Sequence, residues 1–251
     1  MFKFQSQFPA EETPVTGPPS VLRLSLEPVH RLTAYCVEIE PMVRRLREPQ
    51  TPDFGALINF LDTPECRGRL KGRAGYDDRY PHLLSTVAGF SDSDDADDLV
   101  ALAHMAYGWM PTSLERCKTD GWGVPKSKVL SRIRACGSAA AAVEFLGGMG
   151  SNAPLSGGSS SSASWIGTSK ALHFVNPKIF PIWDEKVASH YGCSAAKARE
   201  QRTKYEEYLV HLHESLPAHG RRACLLAQNV LGYKVTGIRA LEKVLFATNL
   251  R

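Results

Sequence analysis

The chain has 251 residues, 43% of them apolar and 22% charged, with a formal net charge of +4. This length allows one large domain or two lobes with an ample core, and the composition is that of an ordinary globular protein. No stretch approaches the roughly 18 consecutive apolar residues of a membrane span, and the opening MFKFQSQFPAEETP has no continuous apolar run, so neither a membrane nor a secretory signal is expected.

Residues 1–20 carry four prolines and little apolar pattern, and read as an extended arm before a single two-lobed helical domain over 21–251. Between Glu27 and Arg47 the apolar spacing fits an amphipathic helix interrupted near Pro41, and a short helix is expected at Phe54–Leu61. The polar, glycine-containing CRGRLKGRAGYDDRYPH (66–82) reads as a loop or broken helix. SDSDDADD (91–98) lacks the order of an EF-hand loop, and reads instead as the cap and first turn of an apolar helix, Leu99–Tyr107. That helix ends in the aromatic turn AYGWMPT. Further helices are expected at Lys126–Ala135, Ala139–Leu146, Ser169–Val175, Asp184–Tyr191, Ala195–Leu216, Gly220–Leu231 and Thr236–Ala247. No alternating run of β-branched residues asks for a sheet, and residues 156–164 read as a flexible Ser/Gly loop.

The cysteines Cys36, Cys66, Cys117, Cys136, Cys193 and Cys224 form no closely spaced pair. This excludes local zinc patterns and a closely spaced iron–sulfur loop, so no metal or cofactor is expected. Scattered thiols fit a reducing cytoplasm. Charge is uneven along the chain. From Ile166 onward there are 13 Lys and Arg against 7 Asp and Glu, whereas the preceding residues hold 17 against 19. A basic C-terminal part suits a polyanionic partner.

Chemistry concentrates in SWIGTSKALHFVNPKIFPIWDEKVASHYG (164–192). Gly167 allows a tight turn, Thr168 or Ser169 can cap a helix starting near Lys170, and a helix N-terminus beside a lysine suits a phosphate. Asn176-Pro177 ends that helix, and KIFPIW leads as an extended link to Asp184 at the N-cap of EKVASHY. Asp184 is then either a structural cap or a carboxylate that stabilises a sugar cation and orients water. Lys170 is a nucleophile with a burial-lowered pKa, a phosphate contact or a surface residue.

The segment resembles the core motif of the helix–hairpin–helix DNA glycosylase superfamily, which includes endonuclease III-type and 8-oxoguanine glycosylases. Gly167 resembles the hairpin glycine, Lys170 the motif lysine and Pro181-Ile182-Trp183-Asp184 the element carrying the essential carboxylate. This sequence departs in having one hairpin glycine, a shorter Lys–Asp separation and a tryptophan before the aspartate. The segment is similar, too, to bacterial proteins that resemble antiviral glycosylases acting on hypermodified cytosines of phage DNA. The resemblance implies an all-α fold of two helical lobes with double-stranded DNA in the cleft between them. It implies Asp184 and Lys170 as catalytic residues, and a hairpin at 165–170 that anchors the DNA backbone.

A flipped base needs an aromatic pocket, for which Tyr107, Trp109, Trp165 and His173 are candidates, with Trp122 and His104 behind them. Gly167, Thr168, Ser169, Arg221 and Arg222 are candidate DNA contacts, and Arg67, Arg69, Lys71, Arg73 and Arg79 form a further basic cluster. Gly220 suggests a helix start at Arg221. No Ser-His-Asp pattern, phosphate loop or dinucleotide motif is present. The expected protein is a monomeric glycosylase that leaves an abasic site, in repair or in defence against phage. The alternatives are a helical DNA-binding module without catalysis and an interaction protein without a DNA role.

Overall fold

The computed structural model describes residues 51–72, 76–90, 96–110, 113–118, 121–149, 153–157, 164–194 and 201–249. The arm at 1–20 and the helix expected at Glu27–Arg47 lie outside them. The described chain is mostly helical: α1 (Phe54–Leu61), α2 (Pro64–Arg67) running into a 3-10 turn (Gly68–Leu70), α3 (Tyr76–Ala88) and α4 (Ala96–Gly108) come first. After strand β1 (Leu114–Cys117) follow α5 (Val129–Ala135), α6 (Ala139–Gly148) and β2 (Leu155–Gly157). Then come α7 (Trp165–Val175), α8 (Glu185–His190), α9 (Arg202–Ser215), a π-helical turn (Leu216–Gly220), α10 (Arg221–Leu231) and α11 (Gly237–Thr248). No helix among the described residues is long and apolar enough to cross a membrane.

Local rules explain most of these elements. The side chain of Asp53 caps α1 by accepting from the Ala56 N–H at 3.1 Å, and Phe54, Leu57, Ile58 and Leu61 give it one buried stripe at helical spacing. Ser138, Ser164, Asp184 and Thr236 cap α6, α7, α8 and α11 in the same way.

Of four further expectations, two fail. The 66–82 segment is a broken helix, one of the two forms expected: α2 and its 3-10 turn end at Leu70, and α3 begins at Tyr76. α3 continues across Pro81, which removes one helical hydrogen bond, and it buries Tyr80 and Val87. Residues 156 and 157 belong to a strand rather than to a flexible loop: β1 and β2 pair antiparallel, with Ser156 and Leu155 buried. Two short strands carry too little alternation to register as a sheet in sequence. Residues 195–200 of the helix expected at Ala195–Leu216 lie outside the described residues, and α9 spans Arg202–Ser215 within it. Finally, Gly220 does not start a helix. Its φ of −58° and ψ of −45° are helical, so the chain passes from α9 through the π turn into α10 unbroken. Pro217, which lacks an N–H and crowds the preceding turn, is a sufficient cause for that π turn.

Two helices lie at the centre. Every residue of α7 from Trp165 to Phe174 is buried, and so is every residue of α11 from Ile238 to Leu245. α4 and α3 pack on α7, while α1, α8 and α10 pack on α11. Helices buried all round are normally apolar all round. These two are not: α7 carries Thr168, Ser169, Lys170 and His173 into the interior, and α11 carries Arg239, Glu242 and Lys243. Polar groups are costly there unless they are partnered, so their partners decide what the centre of the protein can do.

Candidate active site

The link between α7 and α8, Asn176 to Trp183, is buried for most of its length and forms no ladder. Its carbonyls therefore need side-chain donors, and these come from several helices. Thr236 Oγ1 donates to the Pro177 carbonyl at 2.7 Å, His213 Nε2 to Ile179 at 2.9 Å and His173 Nδ1 to Phe180 at 2.6 Å. Tyr205 and Tyr208 donate their hydroxyls to Pro181 and Ile182 at 3.0 and 3.3 Å. The Trp183 backbone is tied to Ser169, whose single hydroxyl proton also has the Ile166 carbonyl as an acceptor at 3.1 Å. The Ser169 hydroxyl accepts from the Trp183 N–H at 3.0 Å and lies 3.3 Å from the Trp183 carbonyl. Net contributions near 1 kcal/mol for each such bond make this a rigid lead-in to Asp184.

The Ser169–Trp183 clamp has a direct consequence. The residues that follow its two halves in the chain are Lys170 and Asp184, and they lie within electrostatic reach of each other. Asp184 Oδ1 accepts both cap bonds of α8, from the Lys186 N–H at 2.9 Å and the Val187 N–H at 3.0 Å. Its Oδ2 takes no hydrogen bond among the described residues. The cap role and a chemical role are thus compatible, one oxygen serving each.

Lys170 is only 8% exposed, and its ammonium has no hydrogen-bond acceptor among the described residues; its recorded ring contact is Trp109, 5.9 Å from Nζ. Burial lowers its pKa from 10.5 to about 8, against the opposing pull of Asp184, Glu242 and Glu185. The shift is toward the neutral amine that a nucleophilic lysine requires.

α11 supplies a second set of charges. Arg239 Nη1 pairs with Glu242 Oε1, both side chains buried. The guanidinium lies 4.8 Å from the Tyr80 ring and 5.5 Å from Trp109. Burial opposes its charge, but Glu242 and Tyr80 more than offset this and hold it cationic. Burial likewise pushes the Glu242 carboxyl up, against the Arg239 charge. Arg239 Nε, Glu242 Oε2 and Thr168 Oγ1 are enclosed polar atoms without partners among the described residues. Lys243 Nζ donates to both oxygens of Asp77, at 2.9 and 3.1 Å, and the Gly72 N–H donates to Asp77 Oδ2. No group of three or more potential metal ligands occurs among the described residues.

Several sequence-based assignments need correction. There is no hairpin at 165–170, since Ser164 caps α7 and Gly167, Thr168 and Ser169 lie inside it, fully enclosed. Those three residues offer no surface to a DNA backbone. Gly167 is required for close packing rather than for a turn, because a Cβ there would sit 2.5 Å from the Tyr107 ring. The proposed base pocket is not an open one: Tyr107, Trp109, Trp165 and His173 are all at most 9% exposed. Trp165 stacks on Tyr205 at 6.1 Å, apart from Trp109, which belongs to the Tyr80–Phe174 cluster.

His173 is fully partnered. Its Nδ1 must donate to the Phe180 carbonyl, so Nε2 accepts from the Tyr80 hydroxyl at 2.7 Å. Burial and Arg239 push its pKa down to about 3, keeping it neutral. Arg221 and Arg222 are exposed. Tyr80, Arg239, Glu242 and Lys243 were missed in sequence. The signal that could have found them is a charged trio in GIRALEKVLFAT, a segment whose apolar pattern otherwise marks a core helix.

The chain matches no protein-family model, no curated protein and no solved structure.

Proposed function

We propose that this protein is a DNA glycosylase that hydrolyses the N-glycosidic bond of a damaged or modified base and leaves an abasic site. The observation that carries the reading is the clamp of Ser169 on Trp183, which brings a buried lysine of lowered pKa within electrostatic reach of a carboxylate whose Oδ2 takes no hydrogen bond among the described residues. In this reading the C1′–N bond breaks, the base departs with the bonding electrons and is protonated, and positive charge develops on the sugar. Asp184 Oδ2 stabilises that charge and accepts a proton from the water that attacks C1′. Where Lys170 attacks instead, its neutral amine bonds to C1′ and loses a proton, giving a Schiff base on ring opening. Arg239 and Glu242 act electrostatically on the same lysine. The reading includes a two-lobed arrangement with duplex DNA held between the lobes.

The test is abasic-site formation in duplexes carrying common lesions and in phage DNA carrying hypermodified cytosine, with and without alkali. Release by the wild type that disappears in Asp184→Asn supports a glycosylase, and strand cleavage without alkali assigns a lyase role to Lys170. No base release from any substrate, with DNA binding intact, favours a binding module in which Asp184 only caps α8.

A further inference from the structure

Two basic clusters far apart in the chain meet on one surface. Arg222, at the start of α10, donates to Asp62 Oδ2 at 3.3 Å and to Asn59 Oδ1 at 2.5 Å, both at the end of α1. Arg67, in α2, donates to Asp62 Oδ1 at 2.9 Å. Two guanidinium groups therefore share one carboxylate, an oxygen each, with side chains 42–52% exposed. Ion pairs this exposed add little to stability. Their information lies in the geometry: Asp62 keeps two guanidinium forks side by side on a single anion, an arrangement that the non-bridging oxygens of a phosphodiester also satisfy. Arg69, two residues on, lies over the Phe60 ring at 5.6 Å, and Lys71 is exposed beyond it.

The outward face of α10 continues this surface. Arg221, Arg222, Leu225 and Asn229 are its exposed residues, and Leu225 is 54% exposed, the one large hydrophobic side chain so exposed among the described residues. Nothing from Leu216 to Leu241 is Asp or Glu, so α10 has no acid of its own to neutralise its arginines. One apolar side chain among arginines is too little for a protein interface, which needs a contiguous desolvated centre. A membrane-surface helix needs a broad apolar face turned outward, and the apolar residues Ala223, Leu226 and Ala227 of α10 face inward instead. A polyanion with a groove between its phosphates fits both features.

We propose that Arg67, Arg69, Arg221 and Arg222 form the docking surface for the sugar–phosphate backbone of duplex DNA, with Leu225 resting in the groove. The choice of DNA as the polyanion rests on the glycosylase reading; the surface itself rests on the contacts above. Asp62 acts as a stand-in anion that pre-orders the two forks. The following segment, Lys71–Gly72, leads to Asp77 and Lys243 beside the α11 charges.

The experiment is fluorescence anisotropy of the full chain with a labelled 20-base-pair duplex of unmodified bases, across a salt series. Arg67→Ala/Arg222→Ala is expected to weaken binding at least tenfold and to reduce the slope of log K against log salt by about two. Arg221→Glu, an exposed change that spares the Asp62 contacts, is expected to weaken it similarly. Leu225→Ala should weaken binding a few-fold with the slope unchanged. Asp62→Asn should tighten it. Wild-type affinity and slope in both arginine variants overturn the proposal, as does equal binding to phosphatidylserine vesicles or to polyglutamate. Base release with these variants unaffected removes this surface but leaves the glycosylase. Salt-dependent binding lost in the variants, with no base release from any substrate, removes the glycosylase and leaves the surface.

Discussion

The α7–α11 centre and the α10 face are both rich in charge, and they place it by opposite rules. At the centre, Lys170, Arg239, Glu242 and Lys243 are buried, and the last three are held in ion pairs with named partners. On α10, Arg221, Arg222 and Leu225 stand in solvent, and the recorded ion pair, Arg222 to Asp62, is half exposed. Buried charges are expensive and break badly when one partner is removed, whereas exposed ones are cheap and interchangeable. The interior is therefore where substitutions should change chemistry or unfold the chain, and the surface is where they should change only binding. Within the interior the same contrast recurs on one helix: His173 has both ring nitrogens engaged, while Lys170 has no acceptor among the described residues.

This separation can be broken by substitution, and the largest expected effect is on activity. Lys170→Gln should abolish any adduct trapped by borohydride reduction on an abasic duplex. In the wild type, adduct formation should rise with pH through about 8 as the amine loses its proton. Stability carries a matching sign. The folded pKa of Lys170, about 8, lies below the ordinary 10.5, so between these values the unfolded chain binds more protons, and this residue's contribution to stability rises with pH. A urea midpoint that climbs across that window in the wild type but less steeply in Lys170→Gln meets this expectation.

Next in size is Glu242→Gln. It leaves Arg239 buried without its counter-charge and should cost about 3–5 kcal/mol in denaturant unfolding; a loss within experimental error would mean that the pair is not buried as described. Ser169→Ala removes the clamp and leaves the buried Trp183 N–H without an acceptor, which costs about 1–3 kcal/mol. Base release should fall further than this destabilisation accounts for, whereas an unchanged rate would remove the clamp from the account. The smallest effect separates the two roles of Asp184. Asp184→Ala should destabilise by about 1 kcal/mol through loss of the cap and Asp184→Asn by a few tenths, while both should abolish base release.

Much of the architecture was legible in the sequence, because caps and apolar spacing act locally. Asp53, Asp184 and Thr236 mark helix starts as a local reading expects. The end of α7 at Asn176-Pro177 and the place of Asp184 as a cap follow locally, although residues 177–179 of the link form a turn rather than an extended run. What could not be read is long-range. Gly167 looks like a turn residue until Tyr107 is packed against it, and Ser169 looks like a cap until Trp183 is brought to it from fourteen positions away. The meeting of Arg67 with Arg222 on Asp62 joins residues 160 positions apart in part, and no local pattern encodes it. Periodicity identified α11 as a core helix but gave no reason for Arg239, Glu242 and Lys243 to lie within it.

The most direct test of the central claim measures base release and duplex binding together, for the wild type and Asp184→Asn, on whichever substrate of the panel yields abasic sites. The account predicts release lost in the variant with binding retained or tightened, since a negative charge near the DNA is removed while the α8 cap persists. A variant that still releases base at the wild-type rate would contradict it.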